Sequence, residues 1–235
     1  MTFHILQLQG LSILEQLQLE EQLLREDERN FCILNHGSPP SIVMGISGRP
    51  QELIDTQRAF DLGVPVIKRF SGGGTVVVDE DTLFVTFLCN KKDFSFPAYP
   101  EKILQWSEGI YQKALLIPGF SLKENDFTIG SFKCGGNAQY IKKDRWLQHT
   151  SFLWNYCPCK MSSLLFPKKT PSYRKGRSHQ EFLCTLNQFL PSKESFFQLI
   201  RTHLENQYQI LDLSLEDFAC TPLKSRRQTE KVELY

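Results

Sequence analysis

The hydrophobic pattern alternates between stretches of helical period and short apolar runs of strand type. In residues 12–26, Leu14, Leu17 and Leu24 lie on one apolar stripe, and Ser12 with Glu15 has the pattern of a capping box, which predicts a helix. Phe31–Leu34 and Ser41–Met44 are short apolar runs around Asn35-His-Gly-Ser-Pro-Pro40, a pattern that predicts a hairpin with a loop. Residues 51–62 predict a helix stopped by Gly63. Strand-like runs follow at 64–67, 75–78 and 83–88, the last two separated by the turn Asp79-Glu-Asp-Thr82.

A second helix is predicted from Pro97 or Pro100 to about Leu116, ending before Pro118-Gly119. The runs 121–124, 127–129, 132–134, 138–141 and 149–154 are short and divided by Asn-Asp, Gly-Ser, Gly-Gly-Asn and Lys-Lys-Asp-Arg, as expected of antiparallel strands. Residues 159–206 have a mainly helical pattern interrupted by a polar Pro/Arg-rich loop at 167–178, and 208–213 predict one last strand. Residues 214–235, with the polar run 224–231, are expected to be a frayed tail behind a single domain of residues 1–213. Strands and helices mix without regular βαβ alternation, so the expected class is α+β with a mixed sheet.

Composition narrows the function classes. With 27 basic and 26 acidic residues the net charge is +1, so nucleic acid and membrane surfaces are not expected partners and any cationic site must be local. No apolar run reaches the roughly 18 residues needed to span a bilayer. The start Met-Thr-Phe-His-Ile-Leu-Gln lacks the basic and apolar regions of a signal peptide, which makes the cytoplasm the expected compartment. Seven cysteines without framework spacing read as free thiols. Cys89, Cys184 and Cys220 sit in apolar company, as small core residues do, and Cys157-Pro-Cys159 has no second pair that would complete a zinc site.

Ile67-Lys-Arg-Phe-Ser-Gly-Gly-Gly-Thr75 is the first stretch that suggests chemistry. Three consecutive glycines remove every Cβ and let backbone amides approach a ligand, while Lys68 and Arg69 add charge beside them. The competing reading is a flexible turn between two strands. The second stretch is Asn125-Asp-Phe-Thr-Ile-Gly-Ser-Phe-Lys-Cys-Gly-Gly-Asn-Ala-Gln139. Lys133, followed closely by a glycine pair, has room for a ligand beside its ammonium, which can hold a phosphate and stabilise charge developing at a carbonyl or an α-phosphate. Asn125-Asp126 is a natural turn pair; its functional reading makes Asp126 a ligand of Mg²⁺ or of a nucleotide hydroxyl. Cys134 beside this cation could be an activated thiol, but strand alternation points it to the face opposite Lys133. Gln148-His-Thr-Ser151 adds an imidazole and hydroxyls at the start of a strand.

Taken together these residues resemble the lipoate-protein ligase A branch of the biotin/lipoate protein ligase superfamily. Lys68–Thr75 is similar to its R-R-x-S-G-G-G-x loop, Gly130–Gln139 to its G-x-x-K-x-[SG]-G-x-A-x segment, and Gln148–Leu153 to its H-H-x-T-L-L strand. Leu17–Leu24 and Ile42–Gly48 resemble the family's first helix and its V-V-I-G-x-x-Q strand. The resemblance implies a mixed sheet flanked by helices and a two-step reaction. Lipoate and ATP, with Mg²⁺, would give lipoyl-AMP, and a lysine of a lipoyl domain would then take the acyl group. The acceptor domains implied are those of 2-oxoacid dehydrogenase E2 subunits or the glycine-cleavage H protein. By position, Ser71, Gly72, Gly73, Gly74 and Thr75, with Arg69 beside them, would hold the acyl-phosphate region. Lys133 would bridge carbonyl and phosphate oxygens. Asn125 and Asp126 would bind nucleotide or metal, Gly136, Asn137 and Ala138 would line the adenylate, and His149 and Thr150 would lie near the acyl end.

The chain departs from the family after the glycine loop, where Val78 and Thr82 stand at the usual His and Asn positions. After the matched region only about 45 residues remain, too few for the accessory domain of about a hundred residues that many ligases carry, so a separate accessory protein is one expectation. Two further functions stay open. One is an octanoyl or lipoyl transferase of the same fold without adenylation, for which Cys157 or Cys159 could serve with the lysine. The other is a non-enzymatic descendant that binds a lipoyl domain.

Overall fold

The computed structural model of the chain describes residues 1–167, 169–218 and 228–234. Strand β1 (Thr2–Gln9) leads into helix α1 (Ile13–Glu26), followed by β2 (Asn30–His36), β3 (Ser41–Met44), the short helices α2 (Pro50–Leu53) and α3 (Thr56–Asp61), and β4 (Val66–Lys68). Next come β5 (Val76–Val78), β6 (Thr82–Asn90), α4 (Pro100–Leu115), β7 (Phe120–Lys123), β8 (Asp126–Ile129), β9 (Phe132–Ile141) and β10 (Arg145–Leu153). Helices α5 (Pro158–Met161), α6 (His179–Phe182) and α7 (Lys193–Glu205) precede β11 (Gln209–Leu213) and β12 (Glu230–Val232). The class is α+β, as expected.

An eight-stranded sheet runs β11-β1-β2-β6-β10-β9-β8-β7, and a four-stranded sheet runs β12-β4-β3-β5. Strand alternation divides the larger sheet into two apolar faces. Leu83, Val85, Phe87 and Cys89 of β6 join residues of α4 and α7 in the main core, whereas Phe84 and Leu88 face α1. Ile13 and Leu17 of α1 also meet Val43, Ile67 and Val78 of the smaller sheet, so this helix lies between the two sheets. Its start is fixed by Ser12, whose Oγ accepts the Glu15 amide, a cap that contributes about 1 kcal/mol.

Several expectations change. Residues 31–34 and 41–44 do not form a hairpin: β2 pairs with β1 and β6, whereas β3 pairs with β4 and β5 in the other sheet. The stretch 51–62 is two short helices separated at Ile54–Asp55, where Asp55 caps the second by accepting the Arg58 amide at 3.0 Å. Gly135-Gly136 does not break the chain, and β9 is continuous through it. Residues 159–206 hold one long helix, α7, after the single turns α5 and α6. The tail is not frayed at its end, because Glu230–Val232 pairs antiparallel with β4. Residues 219–227, which include Cys220 and part of the polar run, lie outside the described residues.

Candidate active site

A cleft of ≈ 990 Å³ opens between the two sheets, and both stretches singled out above line it. From the first come Arg69, Gly72, Gly73, Gly74 and Thr75; from the second come Asn125, Asp126, Lys133, Gly136, Asn137 and Ala138. Their contact is direct: a Cβ on Gly73 would stand 3.1 Å from the Asn137 carbonyl oxygen and 3.7 Å from the Ala138 Cα. Gly73 also has φ +113, a conformation that side-chain-bearing residues rarely adopt.

Arg69 acts on the loop itself. Its guanidinium, 4% exposed, donates from Nη2 to the Gly72 and Gly74 carbonyls at 2.9 and 2.8 Å, curling the glycines around it. Burial pushes it down to about 10, so it remains a cation at neutral pH. Lys68 does not line the cleft and lies opposite Glu230 in the strand pair. Ser71 also does not line it. Its Oγ is buried without a hydrogen-bond partner among the described residues, and so is that of Thr75, which does line the cleft. The Thr75 hydroxyl, buried at the cleft wall with unmet hydrogen-bonding capacity, suits a polar ligand there.

Lys133 owes its position to a bulge. Phe127 pairs with Gly135 but Thr128 pairs with Lys133, so Cys134 is the extra residue of β9. Strict alternation would put Lys133 and Gly136 on opposite faces. With the bulge, Cys134 and Gly135 both face the core, and Lys133 and Gly136 both face the cleft. A Cβ at Gly136 would stand 3.4 Å from the Lys133 Nζ, so the missing side chain leaves the ammonium accessible. The Cys184 amide donates to the Lys133 carbonyl at 2.9 Å and anchors the strand. Cys134 is fully buried and burial pushes its thiol well above the ordinary value, the opposite of an activated nucleophile. Cys134→Ser is therefore expected to leave acyl transfer within about twofold of wild type and to lower thermal stability modestly. Transfer assays and thermal unfolding of this variant and the wild type at matched folded concentration check this.

Asp126 accepts from Lys133 Nζ (2.8 Å) and from the Tyr173 hydroxyl (2.8 Å), one bond to each carboxylate oxygen. Burial and this carboxylate hold the Tyr173 phenol above its ordinary value, so it remains a donor. Asp126 is thus engaged by protein groups, and among the described residues no three His, Cys, Asp or Glu side chains converge as a metal site. Mg²⁺ carried on the phosphates of a nucleotide needs no such cage, and as its ligand Asp126 would share its carboxylate with Lys133 and Tyr173.

The segment around Tyr173 brings in residues that the sequence left as a polar loop. Arg174, 4% exposed, lines the cleft between Phe166 and Phe182, with ring centroids 4.5 and 4.9 Å from its Cζ. Its Nη2 is buried with no hydrogen-bond partner among the described residues. Lys169 and His179 line the same end; burial, then the charges of Arg174 and Lys133, push the His179 imidazole below its ordinary value. A cation with an unused donor beside Lys133 makes this end of the cleft suited to an anion.

The other end is apolar. Ile13, Leu17, Val43, Val78 and Phe84 line it, with His149 among them. Glu20 is fully buried and accepts from His149 Nδ1 (2.9 Å), Thr86 Oγ1 (2.7 Å) and Gln16 Nε2 (2.8 Å), the compensation that a buried carboxylate requires. With Nδ1 so held, Nε2 is the nitrogen without a hydrogen bond among the described residues. Thr150 does not line the cleft. Being next to His149 on a strand, it points to the α4 face, where its hydroxyl donates to Asn137 Oδ1 (2.8 Å) and accepts from Tyr111 (3.2 Å). The Asn137 amide is turned the same way, bonding the Asn125 carbonyl at 2.9 Å, and thereby fixes the turn before Asp126. At the departures from the family pattern, Val78 extends the apolar lining. The Thr82 Oγ1 accepts the Asp79 amide at 3.1 Å, which closes the turn between β5 and β6.

The family model for the lipoyl protein ligase A/B catalytic domain matches residues 12–208. The chain belongs to this family. Within the lipoyl protein ligase family it is 29% identical over 195 residues to the inactive lipoate–protein ligase 2 of Plasmodium falciparum (isolate 3D7), covering 68% of this chain and 50% of that protein. It is 26% identical over 195 residues to the lipoate-protein ligase LplJ of Bacillus subtilis (strain 168), covering 81% of this chain and 58% of that protein. The chain thus spans about half the length of these curated relatives. The fold matches a lipoate-protein ligase A structure bound with ATP at a TM-score of 0.73, with 16% identity over 91% of this chain and 88% of that one. No helix among the described residues is long and apolar enough to cross a membrane.

Proposed function

We propose that the protein is a lipoate-protein ligase that activates lipoate or octanoate with ATP and passes the acyl group to a lysine of a lipoyl domain, in the cytoplasm. The observation that carries this reading is the cleft itself, with an apolar end that fits an acyl chain, a cationic end that fits phosphates, and Lys133 between them. A carboxylate and a triphosphate repel each other, and Lys133 with the glycine-loop amides would hold them together. The carboxylate oxygen attacks the α-phosphorus and the bond to the β-phosphate breaks, releasing pyrophosphate. Lys133 stabilises the charge on the α-phosphate oxygens while Arg174 supplies its free donor to the departing phosphates. In the second step an acceptor amine attacks the acyl carbonyl, loses a proton and displaces AMP, with Lys133 on the carbonyl oxygen. Among the described residues no cysteine lines the cleft; Cys157 and Cys159 lie outside it, which disfavours a cysteine-dependent transferase.

The test is lipoate-dependent exchange of labelled pyrophosphate into ATP, repeated with octanoate and biotin. Exchange with the first two and none with biotin is the expected result. A folded protein without exchange, yet able to move lipoate from synthetic lipoyl-AMP to a lipoyl domain, would favour a second reading in which the chain performs only the transfer step. One observation favours that reading: Val78 and Thr82 replace the His and Asn of the usual loop continuation.

A further inference from the structure

The last described residues are built into the back of the glycine loop. Thr229, 2% exposed, accepts the Phe70 amide on its Oγ1 at 3.3 Å, and Phe70 immediately precedes Ser71. The strand that follows, β12, pairs with β4 over Glu230–Lys68, Lys231–Ile67 and Val232–Val66. Glu21 of α1, 1% exposed, clamps the segment from the other side. Its carboxylate accepts the Gln228 amide at 3.0 Å and the Thr229 amide at 3.1 Å, and Arg25 donates to it at 3.0 Å. The neighbouring Glu20 holds His149 at the apolar end. One helical dipeptide therefore fixes both the floor of the acyl arm and the segment behind its glycine wall.

We infer that residues 228–232 are a positioning element of the acyl site, and that Thr229, gripped by Glu21, sets the geometry of the 69–75 loop. The other fixings lie on the cleft side: the Arg69 guanidinium holds the Gly72 and Gly74 carbonyls, the Arg69 amide donates to the Met44 carbonyl at 3.0 Å and the Ile46 amide to the Ser71 carbonyl at 3.0 Å. Thr229 is thus the side chain that holds Phe70 from behind. Removing the Thr229 acceptor would leave the buried Phe70 amide unpaired one residue from the site. Lining residues such as Gly72 and Gly74 would then shift relative to Lys133 on the opposite wall.

The experiment uses the full chain with Thr229→Val, which keeps the shape and removes the acceptor, and Thr229→Ser, which restores it. Peptide-resolved hydrogen exchange over residues 66–76 should quicken by about five- to tenfold in Thr229→Val and return to the wild-type rate in Thr229→Ser. Lipoate affinity should fall by a similar factor in Thr229→Val alone. Should Thr229→Val fail to fold, Glu21→Gln, which keeps the shape but exchanges one acceptor oxygen for a donor, provides the same readouts. Unchanged exchange in a folded variant would overturn the inference, as would faster exchange with wild-type lipoate affinity. The assignment of lipoate rests on the proposed function. If the wild type binds no lipoate, that reading fails, while hydrogen exchange still decides whether the segment holds the loop.

Discussion

Replacing Lys133 by alanine is expected to lower turnover by about 10²–10³, the usual consequence of removing one transition-state charge stabiliser. The ammonium faces the cleft between its apolar and cationic ends, and its access depends on the missing side chain at Gly136, whose Cβ would stand 3.4 Å from it. Under the proposed function ground-state binding should change less, because Arg174 and the loop amides would still hold the phosphates. A fall in kcat larger than the rise in KM would therefore identify Lys133 with charge that develops during the reaction. The variant should fold. The side chain is 23% exposed, and Asp126 keeps its bond to Tyr173. Turnover within a few-fold of wild type, measured on protein with an unchanged circular dichroism spectrum, would remove Lys133 from the mechanism. Lys133→Arg should not restore the rate, since a planar guanidinium does not replace a compact ammonium as a point charge on the reacting oxygens.

The parts of this site that could be read in the sequence are those whose chemistry is local. The glycine run, the Lys133 segment and the capped first helix each carry their signal within about ten residues, and all three stand where they were expected. Period-two alternation also separated Lys133 from Cys134 correctly. The same rule, applied without knowledge of the bulge at Cys134, would have turned Gly136 away from Lys133; a one-residue insertion in a strand has no signature in composition. Pairing partners were the least legible. Residues 31–34 and 41–44 are both apolar, and nothing in four-residue runs tells which sheet each joins. Glu20, Arg174 and Thr229 escaped for another reason: each acts through a contact with a distant segment, such as Glu20 with His149 or Thr229 with Phe70. A buried carboxylate inside an amphipathic helix reads as one more polar position until the fold shows that it faces inward.

Gly73→Ala should be the most damaging of the three glycine-loop substitutions, and it separates support of the loop from occupancy of the cleft. At φ +113 an alanine is strained by about 1–3 kcal/mol whatever the surroundings. The added Cβ would in addition meet Arg69 Nη2 at 2.7 Å and the Asn137 carbonyl at 3.1 Å. Arg69 cannot yield freely, because the same nitrogen holds the Gly72 and Gly74 carbonyls at 2.9 and 2.8 Å. The contact with Asn137 is to backbone, which moves only with β9 and hence with Lys133. Relief of the clash must therefore open the loop or displace the strand, and either one separates the two walls of the site. The expected result is a lower melting temperature together with loss of lipoate affinity by at least about tenfold. Gly72→Ala and Gly74→Ala meet no atom within 4 Å, so they should melt close to wild type and weaken binding only by intruding on the ligand. Thermal unfolding and lipoate titration of the three variants check both quantities. If Gly73→Ala melted and bound as wild type does, the hold of Arg69 on the loop would be too loose to shape the site, and the two walls would not depend on each other.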